Sequence, residues 1–355
     1  MPAADTFEYY GHAGNLCIGN CVCKIKDYLQ YFFARQTALA LHPGPLVFVN
    51  CTGRKRRPAT AYLRARDLHF GSAQTIATRW VEQLRRAPLQ CLAQQLYCGR
   101  SVTDALSATE ALQGTLYFVS AGLGVVAGNA TVPAYNLTVA PSSPESVLPR
   151  ITKGPSASGC WWNALTTALG TPSPVAAIVG SSSGLVLVAV PSTYLDMLAD
   201  ELAALPTPSL RRLRIMGPRD GGTLPARLRD QWMPYDRRLH AQEGFAGTES
   251  DFPQRALRHF ALHVIGADPK GSASDHATVV DRLLGTRRVE RRTPGRRMSD
   301  EEITAVMWRI WDAQGGNRSR ILRELRSTLR VACEQSRFKR LADQLEDKKR
   351  AAHSA

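Results

Sequence analysis

The chain has 355 residues, of which 44% are hydrophobic, and it carries a formal net charge of +15. This length is enough for one large domain or two smaller ones, each with a real core. The charge favours a polyanionic partner, which is either nucleic acid or an anionic membrane surface. No apolar run approaches the roughly 18 residues that a membrane-spanning helix needs, and no secretory signal opens the sequence. We therefore expect a soluble, cytoplasmic protein.

Eight cysteines are spread along the chain, and three of them, Cys17, Cys21 and Cys23, lie close together. Their spacing is not the paired two-residue gap of a zinc knuckle, and no second ligand pair follows. Metal binding and free thiols in an amino-terminal extension both remain open, and free thiols are the expectation. We expect neither a metal nor an organic cofactor.

The predicted elements alternate between strands and helices. Residues 1–42 form an extension with one candidate helix, "YLQYFFARQTALAL". The predicted strands are Leu46–Val49, 115–126, 174–180, 185–190 and 210–217. The predicted helices are 72–96, with Ile76, Trp80 and Leu84 on one face, and "STYLDMLADELAAL" from Ser192. This alternation predicts an α/β domain over 43–270 with a mostly parallel central sheet flanked by helices.

The composition changes after this domain. Residues 271–298 are polar at first and then basic, and this composition predicts a linker. Ser299 and Glu302 form a capping-box pattern that predicts the start of a helix. Three short amphipathic helices follow and predict a small, all-α domain over 299–355.

This carboxyl-terminal region is strongly basic. Residues 284–350 contain 18 Lys/Arg against 10 Asp/Glu, which leaves a net charge of +8. Such a surface suits phosphate contacts, although a solvated helix face has the same composition. The candidate DNA-binding residues are Arg296, Arg297, Arg318, Arg320, Arg323, Arg326, Arg330 and Arg337.

Small or polar residues follow three of the predicted strands, in "VFVNCTG", "YFVSAGLG" and "LVAVPST". Ligands of parallel sheets bind at the carboxyl ends of the strands, where small residues let a ligand approach backbone N–H groups. Thr52 and the cations from Arg54 onward follow the first strand. These segments together predict a phosphate or nucleotide site, and a solvated basic loop is the alternative.

Four further residues could take part in chemistry. Tyr135 could stack on a base or belong to a proline turn, and the Asn136 amide could read a base edge or hold a water. Asp236 could orient water or pair with the neighbouring arginines. Asp67 could stabilise an oxocarbenium-like centre or activate water, or it could be a helix-terminal charge.

Several enzyme classes lack their sequence signatures here. The chain has no GxxxxGK[ST] loop, so it is not a P-loop NTPase. No glycine-rich dinucleotide fingerprint follows the first strand, which argues against a NAD enzyme. Histidines do not cluster with cysteines, which argues against a zinc deaminase.

The segments "VNCTGRKRRPATAYLRARDLHFGS", "YFVSAGLGVV" and "VPAYNLTV" resemble a bacterial family allied to the uracil-DNA-glycosylase superfamily. The resemblance covers roughly residues 46–260, and it extends to antiphage glycosylases that excise glucosylated hydroxymethylcytosine from phage DNA. A similar first element occurs in an accessory domain of enzymes that act on archaeosine tRNA. The chain departs from the superfamily at two places: it has Asn136 where many relatives have Asp, and it has no catalytic His at Ser192 and Thr193.

The resemblance implies a glycosylase-like fold and a monofunctional DNA glycosylase that acts in antiviral defence and leaves an abasic site. Trp161, Trp162 or Trp232 could line a pocket wide enough for a sugar-bearing base. A DNA-binding protein without chemistry and a tRNA base-exchanging enzyme are the alternatives. The implied nucleotide-binding residues are Asn50, Cys51, Arg54, Lys55, Gly122, Gly124, Tyr135, Ser192 and Thr193, with water activation by Asn136, Asp67 or Asp236.

Overall fold

A computed structural model describes residues 44–353, except 142, 155–156, 218–220 and 286–294. Two compact units divide the chain, Met1–Arg287 and Arg288–Ala355. The amino-terminal extension, its candidate helix and Cys17, Cys21 and Cys23 lie outside the described residues. Within the described part of the chain, no helix is long and apolar enough to cross a membrane.

A five-stranded sheet forms the centre of the first unit. Its strands lie in the order β5 (Gly124–Ala127), β4 (Thr115–Ser120), β1 (Leu46–Asn50), β8 (Val186–Ala189) and β9 (Leu213–Met216). Only β5 is antiparallel to its neighbour, so the expectation of a mostly parallel sheet is confirmed. Two small ladders pair β2 (Gly71–Ser72) with β7 (Ile151–Lys153), and β3 (Cys91–Leu92) with β6 (Thr131–Val132).

Helices cover both faces of this sheet. Residues Leu46–Val49 of the central strand are at most 1% exposed, which requires cover on both sides. The helices are α1 (Ala73–Arg86), α2 (Ala93–Leu96), α3 (Arg100–Ala111), α4 (Ser158–Leu169), α5 (Pro174–Gly180), α6 (Ser192–Ala203), α7 (Thr207–Arg211), α8 (Phe252–His259) and α9 (Ala273–Leu284). Helices α1, α4 and α6 pack in one group, while α3 and α8 pack together in another. A π-helical turn, Phe260–Ile265, continues α8.

Several predicted elements differ from the structure. The sequence predicts a strand at 174–180, but these residues form helix α5, which begins with Pro174 in its first turn. The helix predicted over 72–96 ends at Arg86, because Ala87 is extended ahead of Pro88. The strand predicted over 115–126 is a hairpin of β4 and β5, turned around Gly124 at a φ of 74°.

The segment predicted as a linker, 271–298, contains a regular helix. Helix α9 begins at a capping box made by Ser272 and Asp275, and it buries Val280 and Leu284 against the core of the first unit. The hydrophobic face of α9 therefore belongs to the first unit. Residues 286–294 of the predicted linker lie outside the described residues.

The described part of the second unit is helical. It consists of α10 (Asp300–Trp311), α11 (Arg318–Arg323) with a π-helical turn at Glu324–Thr328, and α12 (Gln335–His353). The predicted capping box is present, since the Ser299 side chain accepts from the Glu302 N–H and Glu302 accepts from the Ser299 N–H. A separate small core holds these helices together, and it includes Ile303, Met307, Ile321, Leu325, Phe338, Leu341 and Leu345.

Candidate nucleic-acid site

The neighbouring strands β1 and β8 lie in the middle of the sheet, and their carboxyl ends are side by side. The chain leaves β1 to reach β4 on one side, and it leaves β8 to reach β9 on the other side. A crevice forms where two such connections diverge, and ligands of open parallel sheets bind there. The sheet topology thus places the candidate site between Asn50 and Ala189.

Gln254 of α8 bridges this crevice. Its Nε2 donates to Asn50 Oδ1 at 2.7 Å and to the Ala189 carbonyl at 2.8 Å. Gln254 is 1% exposed, and its Oε1 has no hydrogen-bond partner among the described residues. Sequence patterns do not reveal Gln254, because it lies 204 positions from Asn50 and only the fold brings the two together.

Cys51 and Thr52 are engaged in the turn that follows β1. The buried Cys51 thiol lies 3.2 Å from the Tyr194 hydroxyl, and the Thr52 hydroxyl donates to the Arg54 carbonyl at 2.7 Å. Burial raises the pKa of Tyr194, so this phenol stays neutral. The side chains of Cys51 and Thr52 therefore hold the turn after β1 in place through contacts within the protein.

Lys55 is a half-buried cation that lies beside the buried ring of Tyr135. Its Nζ donates to the Thr52 carbonyl at 3.1 Å and lies 4.5 Å from the centre of the Tyr135 ring. Burial lowers the pKa of Lys55, and the nearby Cys51 and Glu145 act in the opposite direction. A partly desolvated ammonium of this kind interacts more strongly with an anion than an exposed one does.

Tyr135 does not offer a stacking surface. It is fully buried, and its hydroxyl bonds to Ser120 Oγ at 2.5 Å and to the Tyr97 hydroxyl at 2.9 Å. Gly122 lies directly against its ring, where a Cβ would come within 2.5 Å of Cε2. Tyr135 is therefore a core residue, more deeply buried than the half-buried tyrosine of the proline-turn alternative. Gly122 packs against its ring, and Gly124 lies at the hairpin.

Asn136 and Asp67 come from two segments that pair with each other. The Asn136 N–H donates to the Leu63 carbonyl, and the Ala65 N–H donates to the Asn136 carbonyl, both at 2.7 Å. The Asn136 side chain is half-buried and that of Asp67 is exposed, and neither has a hydrogen-bond partner among the described residues. These two predicted catalytic groups are both available to a ligand.

Asp236 differs from Asp67 and Asn136, because neighbouring groups engage its side chain. Its carboxylate caps the turn Arg237–Ala241 by accepting from the Arg238 N–H at 2.8 Å, and it also forms an ion pair with the Arg238 guanidinium at 3.0 Å. These contacts match the ion-pair alternative given for Asp236, while its role in activating water stays a prediction.

Two of the predicted pocket tryptophans are core residues. Trp161 Nε1 donates to the Ala121 carbonyl and Trp162 Nε1 donates to Glu201 Oε2, both at 2.8 Å, and both indoles are almost fully buried. Trp232 is half-buried beside β9. Ser192 and Thr193 begin α6, but neither makes a side-chain cap at its amino terminus.

Exposed cations and aromatic rings follow β1 in the chain. Arg54, Arg56 and Arg57 are exposed, and their guanidinium groups have no ion-pair partner among the described residues. Tyr62 is 41% exposed and Phe70 is 63% exposed, with the Arg150 guanidinium 4.8 Å from the Phe70 ring. The sequence carries a signal for these rings, because two aromatic residues flank a pair of cations in "YLRARDLHF".

The structure divides the candidate DNA-binding arginines of the second unit into two groups. Arg318 pairs with Asp343 and Glu346, Arg337 pairs with Asp300, and Arg326 donates to the Cys333 carbonyl. Arg296 lies 4.0 Å from Glu302. Among the candidates, the exposed arginines that have no partner among the described residues are Arg297, Arg320, Arg323 and Arg330.

No group of three His, Cys, Asp or Glu side chains within the described residues could hold a metal ion. Comparisons of the chain with protein-family models, with curated proteins and with solved structures find no match.

Proposed function

We propose that this chain is a DNA glycosylase that cleaves the N-glycosidic bond of a modified cytosine, with glucosylated hydroxymethylcytosine of phage DNA as its substrate and antiviral defence as its role. The observation that carries the proposal is the surface around the end of β1. Exposed arginines without an ion-pair partner among the described residues follow β1 in the chain, together with two exposed aromatic rings, and the half-buried Asn136 and Lys55 flank the same segment. The sequence resemblance supports the same fold family and activity.

The proposed division of labour follows from exposure and charge. Arg54, Arg56 and Arg57 contact phosphates, which positions the strand without reading its sequence. Tyr62 or Phe70 fills the gap that an extruded nucleotide leaves in the stack. Each contribution needs an exposed side chain, and all five are exposed.

The chemical step needs a positioned water and a stabilised leaving group. The Asn136 amide holds a water and the Asp67 carboxylate accepts its proton, as the water oxygen bonds to C1′ of the sugar. The bond from C1′ to the base nitrogen breaks, and the base departs with the bonding electrons and takes up a proton. In this proposal the Lys55 ammonium stabilises the negative charge on the departing base.

Base release tests this proposal. Purified protein is incubated with unmodified, hydroxymethylated and glucosylated DNA, and free base is measured by mass spectrometry alongside alkali-labile strand breaks. We expect release from modified DNA only. Asp67→Asn and Asn136→Ala should abolish release and leave DNA binding intact. Glu110→Gln is the matched control, since Glu110 is an exposed carboxylate in the last turn of α3, shortly before the amino end of β4.

Two results would contradict the proposal. Undiminished release by both the Asp67 and the Asn136 variants would overturn the catalytic assignment. No release from any DNA, with tight and salt-sensitive binding, would favour a binding protein without chemistry. The engagement of Asp236 and Tyr135 within the protein is the observation that favours this second function. Release or exchange of a base from tRNA alone would identify an RNA-modifying enzyme instead.

A further inference from the structure

A second basic region lies at the other end of the strands, beside the amino ends of β8 and β9. It is a cleft of about 770 Å³ whose lining includes Leu185, just before β8, and Arg212, just before β9. Five cationic side chains and a single carboxylate, that of Asp230, line it. The volume lies within the range of roughly 300–1,000 Å³ that small-molecule sites occupy.

Arg214 places a buried positive charge in the wall of this cleft. It is 1% exposed, and neutral groups satisfy its guanidinium: the carbonyls of Arg211, Leu213 and Gly271, and His276 Nδ1 at 2.9 Å. No carboxylate of the described residues lies within ion-pair distance of it. Neutral acceptors satisfy its N–H groups without forming an ion pair, and Asp275 acts on its charge only from beyond ion-pair distance. Burial lowers the pKa of Arg214 to about 10, which shows how costly this charge is in a protein interior.

His276 reinforces this arrangement because it is itself neutral. Its Nδ1 accepts from Arg214, so the ring proton is on Nε2, 2.8 Å from the Asp268 carbonyl. Burial lowers the pKa of His276, and the Arg214 charge acts in the same direction. A neutral imidazole supplies a hydrogen-bond acceptor without adding any counter-charge.

The remaining cations divide by their contacts. Arg212 donates to the carbonyls of Gly184 and Val179, and Arg229 donates to the Leu224 carbonyl, so both are fixed in place without a carboxylate. Arg211 and Lys270 are exposed, and their side chains form no hydrogen bond or ion pair with the described residues. They are the groups free to bind a ligand directly.

Three carboxylates near the cleft oppose this charge. Asp275 is engaged in the Ser272 capping box, and Asp268 Oδ1 accepts from the Lys270 N–H at 3.3 Å. Asp230 is exposed, and its carboxylate forms no hydrogen bond or ion pair with the described residues. The five lining cations still outnumber these carboxylates.

From this geometry we infer a second ligand site that binds a small polyphosphate anion, such as a nucleoside diphosphate or triphosphate. Arg211 and Lys270 contact the phosphates, and Arg214 supplies a fixed positive field beneath them. Trp232 in the lining suits a ligand that carries a planar ring as well as phosphates. The cleft is concave, which suits a small molecule better than duplex DNA. The inference does not depend on the proposed glycosylase activity.

Calorimetric titration of the full chain tests the inference, with inorganic tripolyphosphate, ATP and ADP as probes at constant ionic strength. We expect saturable binding of tripolyphosphate and tighter binding of ATP. The double variant Arg211→Gln/Lys270→Gln should weaken both by about tenfold or more, since it removes two charge-assisted hydrogen bonds. Arg79→Gln/Arg282→Gln is the matched control, because it removes two exposed cations outside the cleft. Thermal unfolding of each variant establishes that it is folded.

Three outcomes would overturn the inference. The first is the absence of saturable tripolyphosphate binding by the unaltered protein. The second is equal weakening by the cleft variant and the control variant, which would indicate a nonspecific charge effect. The third is a cleft variant that loses affinity for single-stranded DNA while tripolyphosphate does not bind, which would assign the cleft to a nucleic-acid backbone.

Discussion

Gly122 shows how closely the interior behind the candidate site is packed at the scale of one residue. Its Cα faces the Tyr135 ring, and Trp80 Nε1 donates to its carbonyl at 2.6 Å. A side chain at this position would enter space that Tyr135 already fills. Since Tyr135 also holds Ser120 and Tyr97 through its hydroxyl, the strain would spread to the end of β4.

Gly122→Ala should therefore destabilise the first unit by about 1–3 kcal/mol, the usual cost of overpacking a core. Urea denaturation followed by tryptophan fluorescence measures this loss. Gly53→Ala is the control, because a Cβ at Gly53 would have no atom within 4 Å. Equal stability of the two variants would show that the Tyr135 ring can move aside.

The exposed arginines after β1 make a separate residue-scale prediction. Arg54→Gln/Arg57→Gln should weaken DNA binding and flatten the dependence of log K on log salt, by about 0.9 for each phosphate that the variant no longer neutralises. Fluorescence anisotropy at several salt concentrations gives this slope, with Arg79→Gln/Arg282→Gln as the control. An unchanged slope would mean that these side chains form a solvated loop.

At the scale of elements, the capping box at the start of α10 is a testable determinant of the second unit. Ser299→Ala removes the acceptor for the Glu302 N–H, and we expect a loss of about 1 kcal/mol in the stability of that unit. Circular dichroism during denaturation reports the change. Ser319→Ala is the matched control, because the Ser319 hydroxyl makes no hydrogen bond to the described residues.

Two exposed arginines of α11, Arg320 and Arg323, lead to a prediction about DNA binding. Arg320→Gln/Arg323→Gln should weaken DNA affinity at low salt with little change in stability, since neither side chain has a partner among the described residues. Arg318→Gln should instead lower stability, because it breaks the pairs with Asp343 and Glu346. Binding and unfolding measured on these variants and on the unaltered protein separate the two effects. If Arg318→Gln weakens DNA binding most, the division into paired and unpaired arginines does not predict function.

The elements also show what sequence patterns can and cannot predict. Buried β-branched runs predict β1 and β8 well, because few other structures bury such runs on both faces. The run at 174–180 is also short and apolar but is a helix, since such a stretch has no periodicity that separates a strand from a helix. Side-chain partners are less predictable still. Asp236 and Tyr135 are polar in sequence, but tertiary contacts decide that both are used within the protein.

At the scale of the whole molecule, buried neutral histidines link stability to pH. Burial, together with neighbouring His263, lowers the pKa of His259 to about 4, and burial also lowers the pKa of His276. Both folded-state values lie below the unfolded value of 6.5. Below that pH the unfolded chain binds more protons than the folded one, so acid favours unfolding.

We therefore expect the first unit to be fully stable above about pH 6.5 and to lose stability as the pH falls toward 4. His259 alone accounts for about 3 kcal/mol over that interval. Thermal unfolding between pH 7.5 and 4.5 measures the loss, and His259→Gln should reduce its slope. His69→Gln is the control, as His69 is exposed. An identical slope in His259→Gln would rule out this residue as the source.

The buried thiol of Cys51 offers a way to measure how often the candidate site opens. Its thiol is 4% exposed and lies against the Tyr194 hydroxyl, whereas Cys91, Cys98 and Cys160 are half-buried free thiols. An alkylating reagent can reach Cys51 only when the end of β1 separates from α6, so its labelling rate measures how often that region opens. Bound nucleic acid that holds the strand end closed would slow the alkylation of Cys51 more than that of Cys160.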